Sequence, residues 1–593
     1  MVTVSEVKRW NAAALNEIAT TMQQREQVLI NSGDDFGKIM PIDGWTGGAA
    51  DDAGSAHRLL HFRIDKMAAG ASVVHKALMQ ASDAIPAVQN AIHAAENLAE
   101  KYGFKVGDGG QLTDAWAGKT LPQDMHPEDR ARAQQQIIDD VAQALRTADD
   151  IDNDLTSVLR RAAQGEFGTG EDATVAAAAA AAESGNPGLT LPEPPPNASP
   201  SQNAAWWASL SSAGQAILLR DHPDWLGNRD GLPGTVRSQA NVARLPVERA
   251  ALERLHTAAQ AVVDQTKSVY DPSGNLMANA LHNLDQIDRK LHSLDAIDAA
   301  MAHGGRQLLT LDTSGERVKA AVGVGNIDTA EHVAVFIPGF TSTVDRSLHG
   351  YDQDMNNLQQ HSQNLASRYG DHGQVATVTW IGYETPQTAD VLNPDKSVAS
   401  DGLAKIGAQK LDGFLNGVGA AHNASGQPLH LTALGHSYGS LTTGIALQHD
   451  TPVKDAVVFG SPGLDISNRN DLKVPEGHMF SEWSDQDPVP RLDIAHNFGT
   501  SPYQGISGGV LNDIQQLSTG DATGADGPHH ITHEHGQYLD ENSTSQYNMA
   551  SVVAGRPDLA VRHVQPWEMP VPPPVPGDPI PAPPGRDPQP PPR

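Results

Sequence analysis

Leu429-His430-Leu431-Thr432-Ala433-Leu434-Gly435-His436-Ser437-Tyr438-Gly439-Ser440-Leu441-Thr442-Thr443-Gly444-Ile445-Ala446-Leu447 is the stretch on which the reading of this chain turns. Leu429 to Leu434 reads as a short buried strand, Gly435 to Gly439 as a sharp turn, and Ser440 to Leu447 as a helix. In such a turn the serine takes strained dihedrals. Glycines two positions to either side are needed, because a Cβ there collides with the neighbouring strand and helix. The strain lifts Ser437 Oγ off the end of the sheet and leaves the backbone N–H of Tyr438 pointing at the same space. One turn thus supplies a nucleophile and half an oxyanion hole. G-x-S-x-G alone is equally a Gly-rich structural turn, and the strand before it and helix after it favour the nucleophile.

Outward from this turn the pattern keeps alternating. Gln307 to Asp312 and Arg317 to Val322 flank Thr313-Ser314-Gly315-Glu316 as a hairpin, and His332 to Ile337 is a buried strand ending in Pro338-Gly339-Phe340-Thr341. Val375 to Trp380, Asp455 to Phe459 and Met479 to Trp483 read as further strands, with a helix near Leu403 to Val418. Strands alternating with helices predict an α/β fold: a mostly parallel sheet covered on both faces, with its ligand site at the carboxyl ends of the strands. Gly323 and Gly325 make no dinucleotide loop, because Asp328 stands where the third glycine belongs and no helix follows. Trp380, Tyr383 and Thr385 to Ser400 follow a neighbouring strand end and read either as an apolar rim or lid, or as ordinary loop packing.

A serine nucleophile needs a base, and the base needs an orienting group. Ser484-Asp485-Gln486-Asp487-Pro488-Val489-Pro490 offers two aspartates. Asp487 is favoured over Asp485, since the following proline fixes the chain and holds the carboxylate at the strand end; an Asx turn is the alternative. For the base, Gly527-Pro528-His529-His530-Ile531-Thr532-His533-Glu534-His535 offers His535 first, then His533, then His530. His529 and His533 stand at i, i+4, but H-E-x-x-H is absent and Gly527-Pro528 predicts a loop, so neither a metal nor another cofactor is expected. The chain order Ser437, Asp487, His535 is serine, acid, histidine.

Residues from about 305 to 556 resemble the α/β-hydrolase superfamily, in particular an actinobacterial family of uncharacterised hydrolases, whose upstream region Trp206-Trp207, Gly227 to Pro233 and Asn241 also resemble. Val458-Phe459-Gly460-Ser461-Pro462-Gly463 and Asp487-Pro488-Val489-Pro490 are similar to segments of class 3 lipases, and His535-Gly536-Gln537-Tyr538 to their H-x-x-Y. The resemblance implies Asp487 as triad acid, His535 as base, and the N–H of Phe340 as second oxyanion donor beside Tyr438, with Thr341 next in line. It implies a serine esterase or lipase acting on a small-molecule or lipid ester.

The first half reads as helical. Apolar residues at Leu15, Ile18, Met22 and Leu29 predict one helix from Val7 to Ile30; Ala49 to Tyr102 is a second, interrupted at Pro86; Trp45-Thr46-Gly47 lies between them. This hairpin resembles the WXG-type proteins of type VII secretion, which implies a secretion-system or helical partner and export without a cleaved signal peptide; the alternative is an accessory hairpin whose Trp45 packs the turn. Gln136 to Leu159 is a further packed helix, and its periodicity excludes a calcium loop at Asp150, Asp152 and Asp154, where Leu155 replaces the required glycine.

Five segments follow: a helical hairpin domain 1–164, an Ala/Pro-rich linker 165–200, a helical subdomain 201–304 packing on the hydrolase, a catalytic domain 305–563, and a proline-rich disordered tail 564–593. A net charge of −30 over 593 residues argues against phosphate-mediated nucleic-acid binding, and the lack of cysteine excludes disulfides and thiolate chemistry. No stretch is long and apolar enough for a bilayer, so a soluble protein, cytoplasmic or exported by a signal-independent route, is expected. The rival to ester hydrolysis is a secretion-linked interaction protein that uses the hydrolase fold as a scaffold.

Overall fold

A computed structural model describes residues 2–122, 125–169, 174–186, 188–491, 498–503, 511 and 513–563. The proline-rich stretch 564–593, read as a disordered tail, lies outside them.

Alternating strands and helices from residue 305 onward build one eight-stranded sheet. Its strands are β1 (Arg306–Asp312), β2 (Lys319–Val324), β3 (His332–Ile337), β4 (Val375–Ile381), β5 (His430–His436), β6 (Val453–Phe459), β7 (Met479–Glu482) and β8 (Ile514–Leu517). Their spatial order is β8-β7-β6-β5-β3-β4-β2-β1. Only β2 runs against its neighbours; the rest are mutually parallel. This is the α/β-hydrolase fold, preceded by a largely helical N-terminal half.

The inner strands are almost continuously apolar because they are covered on both sides. Side chains alternate between two cores. Val333, Val335, Ile337, Ala433 and Val458 pack with Gly402–Ser425 and Tyr438–Ala446 on one face. Ala334, Phe336, Leu434 and Val457 pack with Val344–Tyr369 and Thr544–Val553 on the other.

The free edge of β1 is sealed by side chains of the preceding helical segment rather than by another strand. Asn228 accepts from the N–H of Leu311 (2.8 Å) and donates to its carbonyl (2.7 Å). Ser238 Oγ accepts from Leu308 N (2.9 Å), and Asn241, wholly buried, donates to the carbonyls of Leu308 (3.0 Å) and Gly227 (2.7 Å). An edge that would otherwise template pairing with another chain is thereby occupied. Asp328, which breaks the glycine pattern in the sequence, caps the helix Gly234–Thr266 through the N–H groups of Gly234 and Thr235.

The N-terminal half departs from expectation in three places. The first helix is two, Val4–Arg9 and Ala12–Gly37, each started by its own side-chain cap, Thr3 and Asn11. Gly48–Lys101 is one rod that passes through Pro86, because buried Ala81, Val88 and Ile92 pin both sides of the proline in one core. Within the stretch read as linker, Val175–Gly185 is a helix capped by Thr174, and Val175 and Ala179 pack against Ala68. Trp45, in the connection between Ala12–Gly37 and Gly48–Lys101, is 43% exposed. Asp150, Asp152 and Asp154 all lie inside the helix Pro127–Ala163. That helix docks on the sheet-bearing half through Lys454 and Asp129 (2.6 Å) and through Arg132 and Asp450. No helix among the described residues is long and apolar enough to cross a membrane.

Candidate active site

The end of β5 and the start of the helix Tyr438–Ala446 meet at Ser437, which sits at φ 53°, ψ −130°. This is a region a non-glycine residue occupies only when its surroundings hold it there. A Cβ on Gly435 would lie 2.8 Å from Ser440 Cα, and one on Gly439 2.2 Å from the Ile337 carbonyl, so both positions exclude any other residue. Ser437 N–H donates to the Phe459 carbonyl (3.0 Å), and Ser440 Oγ lies 2.6 Å from the Ser437 carbonyl, so the turn is tied to β6 as well as to its own helix.

The acid and base come from two other strand ends. Asp487, on the loop after β7, is fully buried, whereas Asp485 is exposed. His535 Nδ1 donates to Asp487 Oδ2 at 2.9 Å. The same oxygen accepts from Tyr538 Oη (2.8 Å), while Oδ1 accepts from Val489 N (2.9 Å). Burial by itself pushes the Asp487 carboxyl up, but these bonds, His535 first, outweigh it and hold it below the usual carboxylate range. An ionised carboxylate at Nδ1 fixes the tautomer, so Nε2 of His535 is the nitrogen left with a lone pair. The exposed His533 ring meets Gln486 (3.3 Å), and His530 contacts backbone carbonyls.

The pair lies against the nucleophile turn. Gly460 directly follows the Phe459 carbonyl that holds Ser437, and a Cβ on it would come within 2.8 Å of Asp487 Oδ2 and 2.9 Å of His535 Nδ1. His436, the residue before the nucleophile, donates from Nε2 to the His535 carbonyl (2.9 Å), and the two rings stand 4.7 Å apart. Burial, and secondarily the charge of His535, push the His436 imidazole down to about 3, so it is a neutral donor. Among the described residues Ser437 Oγ makes no hydrogen bond.

Two backbone N–H groups beside the turn, those of Tyr438 and Phe340, have no acceptor among the described residues. The Phe340 loop passes so close to the turn that a Cβ on Gly339 would lie 2.7 Å from Tyr438 N. Thr341, though at φ 64°, donates its N–H to the Pro386 carbonyl (2.9 Å) and is not available. The rim reading of the next loop needs correction for its two aromatics. Trp380 and Tyr383 are each only 2% exposed, stack on one another at 5.9 Å, and belong to the core, with Tyr383 Oη donating to the Pro338 carbonyl (3.0 Å). The exposed aliphatics of that loop are Val391 and Leu392.

Sequence patterns do not reveal what Tyr538 and Ser484 do together. Tyr538 Oη also accepts from Ser484 N (2.9 Å), and Ser484 Oγ reaches the carbonyls of Thr532 and His533 (2.8 Å each), so the acid loop and the base loop are stitched into one piece. Two groups away from this site, His361 with Asp526 and His529, and Glu331 with His332 and Asp371, hold the residue types and spacing of metal ligands.

A family model described as alpha/beta hydrolase matches residues 313–496, a range that includes Ser437 and Asp487 and ends before His535. The chain is 36% identical over 234 residues to the uncharacterized protein Rv0963c of Mycobacterium tuberculosis, spanning 39% of this chain and 82% of that protein. The same identity is found with the uncharacterized protein Mb0988c of Mycobacterium bovis. With the uncharacterized protein Rv2079 of Mycobacterium tuberculosis it is 28% over 393 residues, 62% of this chain and 57% of that one, an alignment too long to be confined to the sheet-bearing half.

Proposed function

We propose that this chain, which belongs to the alpha/beta hydrolase family, is a serine hydrolase that cleaves carboxylic esters, of the esterase or lipase kind, through an acyl-enzyme. One observation carries the reading: a serine held at φ 53° beside an Asp487–His535 pair at 2.9 Å, each contributed by a different strand end. In the proposed reaction Ser437 Oγ attacks the ester carbonyl while His535 Nε2 takes its proton. Asp487 holds the tautomer and stabilises the imidazolium that forms. The N–H groups of Tyr438 and Phe340 receive the oxyanion, each donor contributing on the order of 3 kcal/mol. His535 returns the proton to the leaving alcohol, and water then releases the acid by the same steps in reverse.

The experiment compares wild type and Ser437→Ala for labelling by a fluorophosphonate probe and for turnover of short- and medium-chain p-nitrophenyl esters. Both signals are expected in the wild type and neither in a folded Ser437→Ala. A well-folded wild type that takes up no probe and turns over no ester counts against the reading.

A second reading concerns the N-terminal half. Ile42 and Trp45 in the connection between Ala12–Gly37 and Gly48–Lys101, and Leu59, Leu60, Phe62 and Met67 along the latter helix, are all exposed. This favours a docking role for the WXG-like hairpin toward a helical partner of type VII secretion. Trp45→Ala is expected to lower export from an actinobacterial host while leaving ester turnover unchanged; export at the wild-type level would remove the role.

A further inference from the structure

Behind the loop that carries His535, the short hairpin Ala522–Gly524/Gly527–His529 rests on the helices Val344–Tyr369 and Thr544–Val553. At that junction three ligand-type side chains converge. Asp526 Oδ2 lies 2.8 Å from His361 Nε2, and Asp526 Oδ1 lies 2.8 Å from His529 Nε2. Asp526 is an exposed residue whose side chain turns inward, 21% exposed, and the side chains of His361 and His529 are 14% and 5% exposed.

Neighbours outside the cluster hold the His361 ring. Gln546 Oε1 accepts the backbone N–H of Asn542 (3.2 Å), which fixes that atom as the amide oxygen. His361 Nδ1 faces the same oxygen at 3.3 Å, which leaves Nε2 turned toward the Asp526 carboxylate. A metal-binding histidine is prepared in this way, with its outer nitrogen donating to a protein acceptor and its inner one bare. His529 is steadied by stacking on Tyr547 at 4.4 Å, and its Nδ1 is buried without a partner, so Nε2 is the nitrogen it has to offer.

We propose that His361 Nε2, His529 Nε2 and the Asp526 carboxylate form a site for a divalent transition-metal ion, zinc being the natural probe. Two imidazoles and one carboxylate suit zinc or its neighbours better than magnesium or calcium, and water completes the shell. The ion fastens the hairpin before the His535 loop to the helix face of the fold. Sequence spacing conceals this set, because His361 is far from Asp526 and His529 along the chain; the i, i+4 partner His533 takes no part. The site is independent of the hydrolase reading.

The test uses the full chain, with zinc in equilibrium dialysis and cobalt absorption. One zinc per chain is expected, weakened at least 100-fold in Asp526→Asn and His361→Gln and unchanged in His533→Asn. Cobalt bands of a nitrogen- and oxygen-ligated site in the wild type keep the proposal decidable if those variants fail to fold. A folded wild type that retains no zinc at micromolar concentration would overturn the site. Binding undiminished in folded Asp526→Asn, or lost in His533→Asn, would place the ion elsewhere; either result overturns the site.

Discussion

Gly460→Ala tests the geometry of the candidate site without removing any of its functional groups. Gly460 has φ 55°, and the added methyl would lie 2.8 Å from Asp487 Oδ2, 2.9 Å from His535 Nδ1 and 3.0 Å from His535 Cε1. It therefore lands on the Asp487–His535 hydrogen bond itself, and relief requires the two side chains to part by about half an ångström in a close-packed interior. A charge-assisted bond of this kind contributes roughly 1.5–3 kcal/mol, and misplacement by about 1 Å costs on the order of 100-fold in rate. Ester turnover is expected to fall by about 10- to 100-fold, mainly in kcat. The left-handed backbone adds a stability cost of about 1–2 kcal/mol for any L-residue, and this must be separated from the clash. Gly477 provides the control: its φ is 81°, and the nearest atom to an added Cβ is Gln515 Nε2 at 3.9 Å. Both alanine variants should lose similar stability in urea melts, and only Gly460→Ala should lose activity. A folded Gly460→Ala that keeps kcat/KM within threefold of wild type, or a Gly477→Ala that loses as much, would refute the reasoning.

Tyr538→Phe removes one donor to Asp487 and orphans the buried Ser484 N–H; about 1–3 kcal/mol of stability and roughly tenfold in kcat/KM should be lost with KM little changed, which melts and steady-state kinetics will read. His436 should make the fold acid-sensitive. Its folded-state pKa of about 3 lies below the ordinary 6.5, so the unfolded chain binds a proton first and stability falls as pH drops below about 6.5. The expected slope is about 1.4 kcal/mol per pH unit, and urea titrations from pH 6.5 to 4.5 should show it in wild type and not in His436→Gln. Asp140 has the opposite sense. Burial, with Asp139 beside it, pushes its carboxyl up to about 8, so the folded chain holds a proton that the unfolded one gives up, and stability falls as pH rises from about 4 to 8. Asp140→Asn should stabilise the protein at pH 8 by about 1–3 kcal/mol after allowance for partial exposure, and a melting temperature that does not rise would contradict this.

Local pattern was enough for the parts of the fold that are regular on their own scale. The His332–Ile337 strand, the strand-turn-helix around Ser437 and the alternation that follows are written as apolar runs and glycine positions, because a strand covered on both faces is apolar throughout. Elements whose polar side chains are satisfied by distant partners stayed hidden. β8 contains Gln515 and Gln516, with Gln515 donating to the Gly477 carbonyl (2.7 Å). The helix Thr544–Val553 is buried all round, yet carries Ser545, Asn548 and Ser551, each bonded to a backbone carbonyl at 2.7–2.9 Å. Hydrophobic periodicity cannot register such residues, since burial there is earned by hydrogen bonds rather than by apolar surface.

By itself, then, the sequence determined the α/β class, the turn that strains Ser437, and the residue types from which a base and an acid could be drawn, because each depends on neighbours within a few positions. Tertiary structure alone decided which histidine stands at which carboxylate. It set His535 against Asp487, left His533 in solvent and turned His529 toward Asp526 and His361. Four histidines in one short loop are chemically alike as letters, and only the long-range closure of strand ends and helices gives each a different partner.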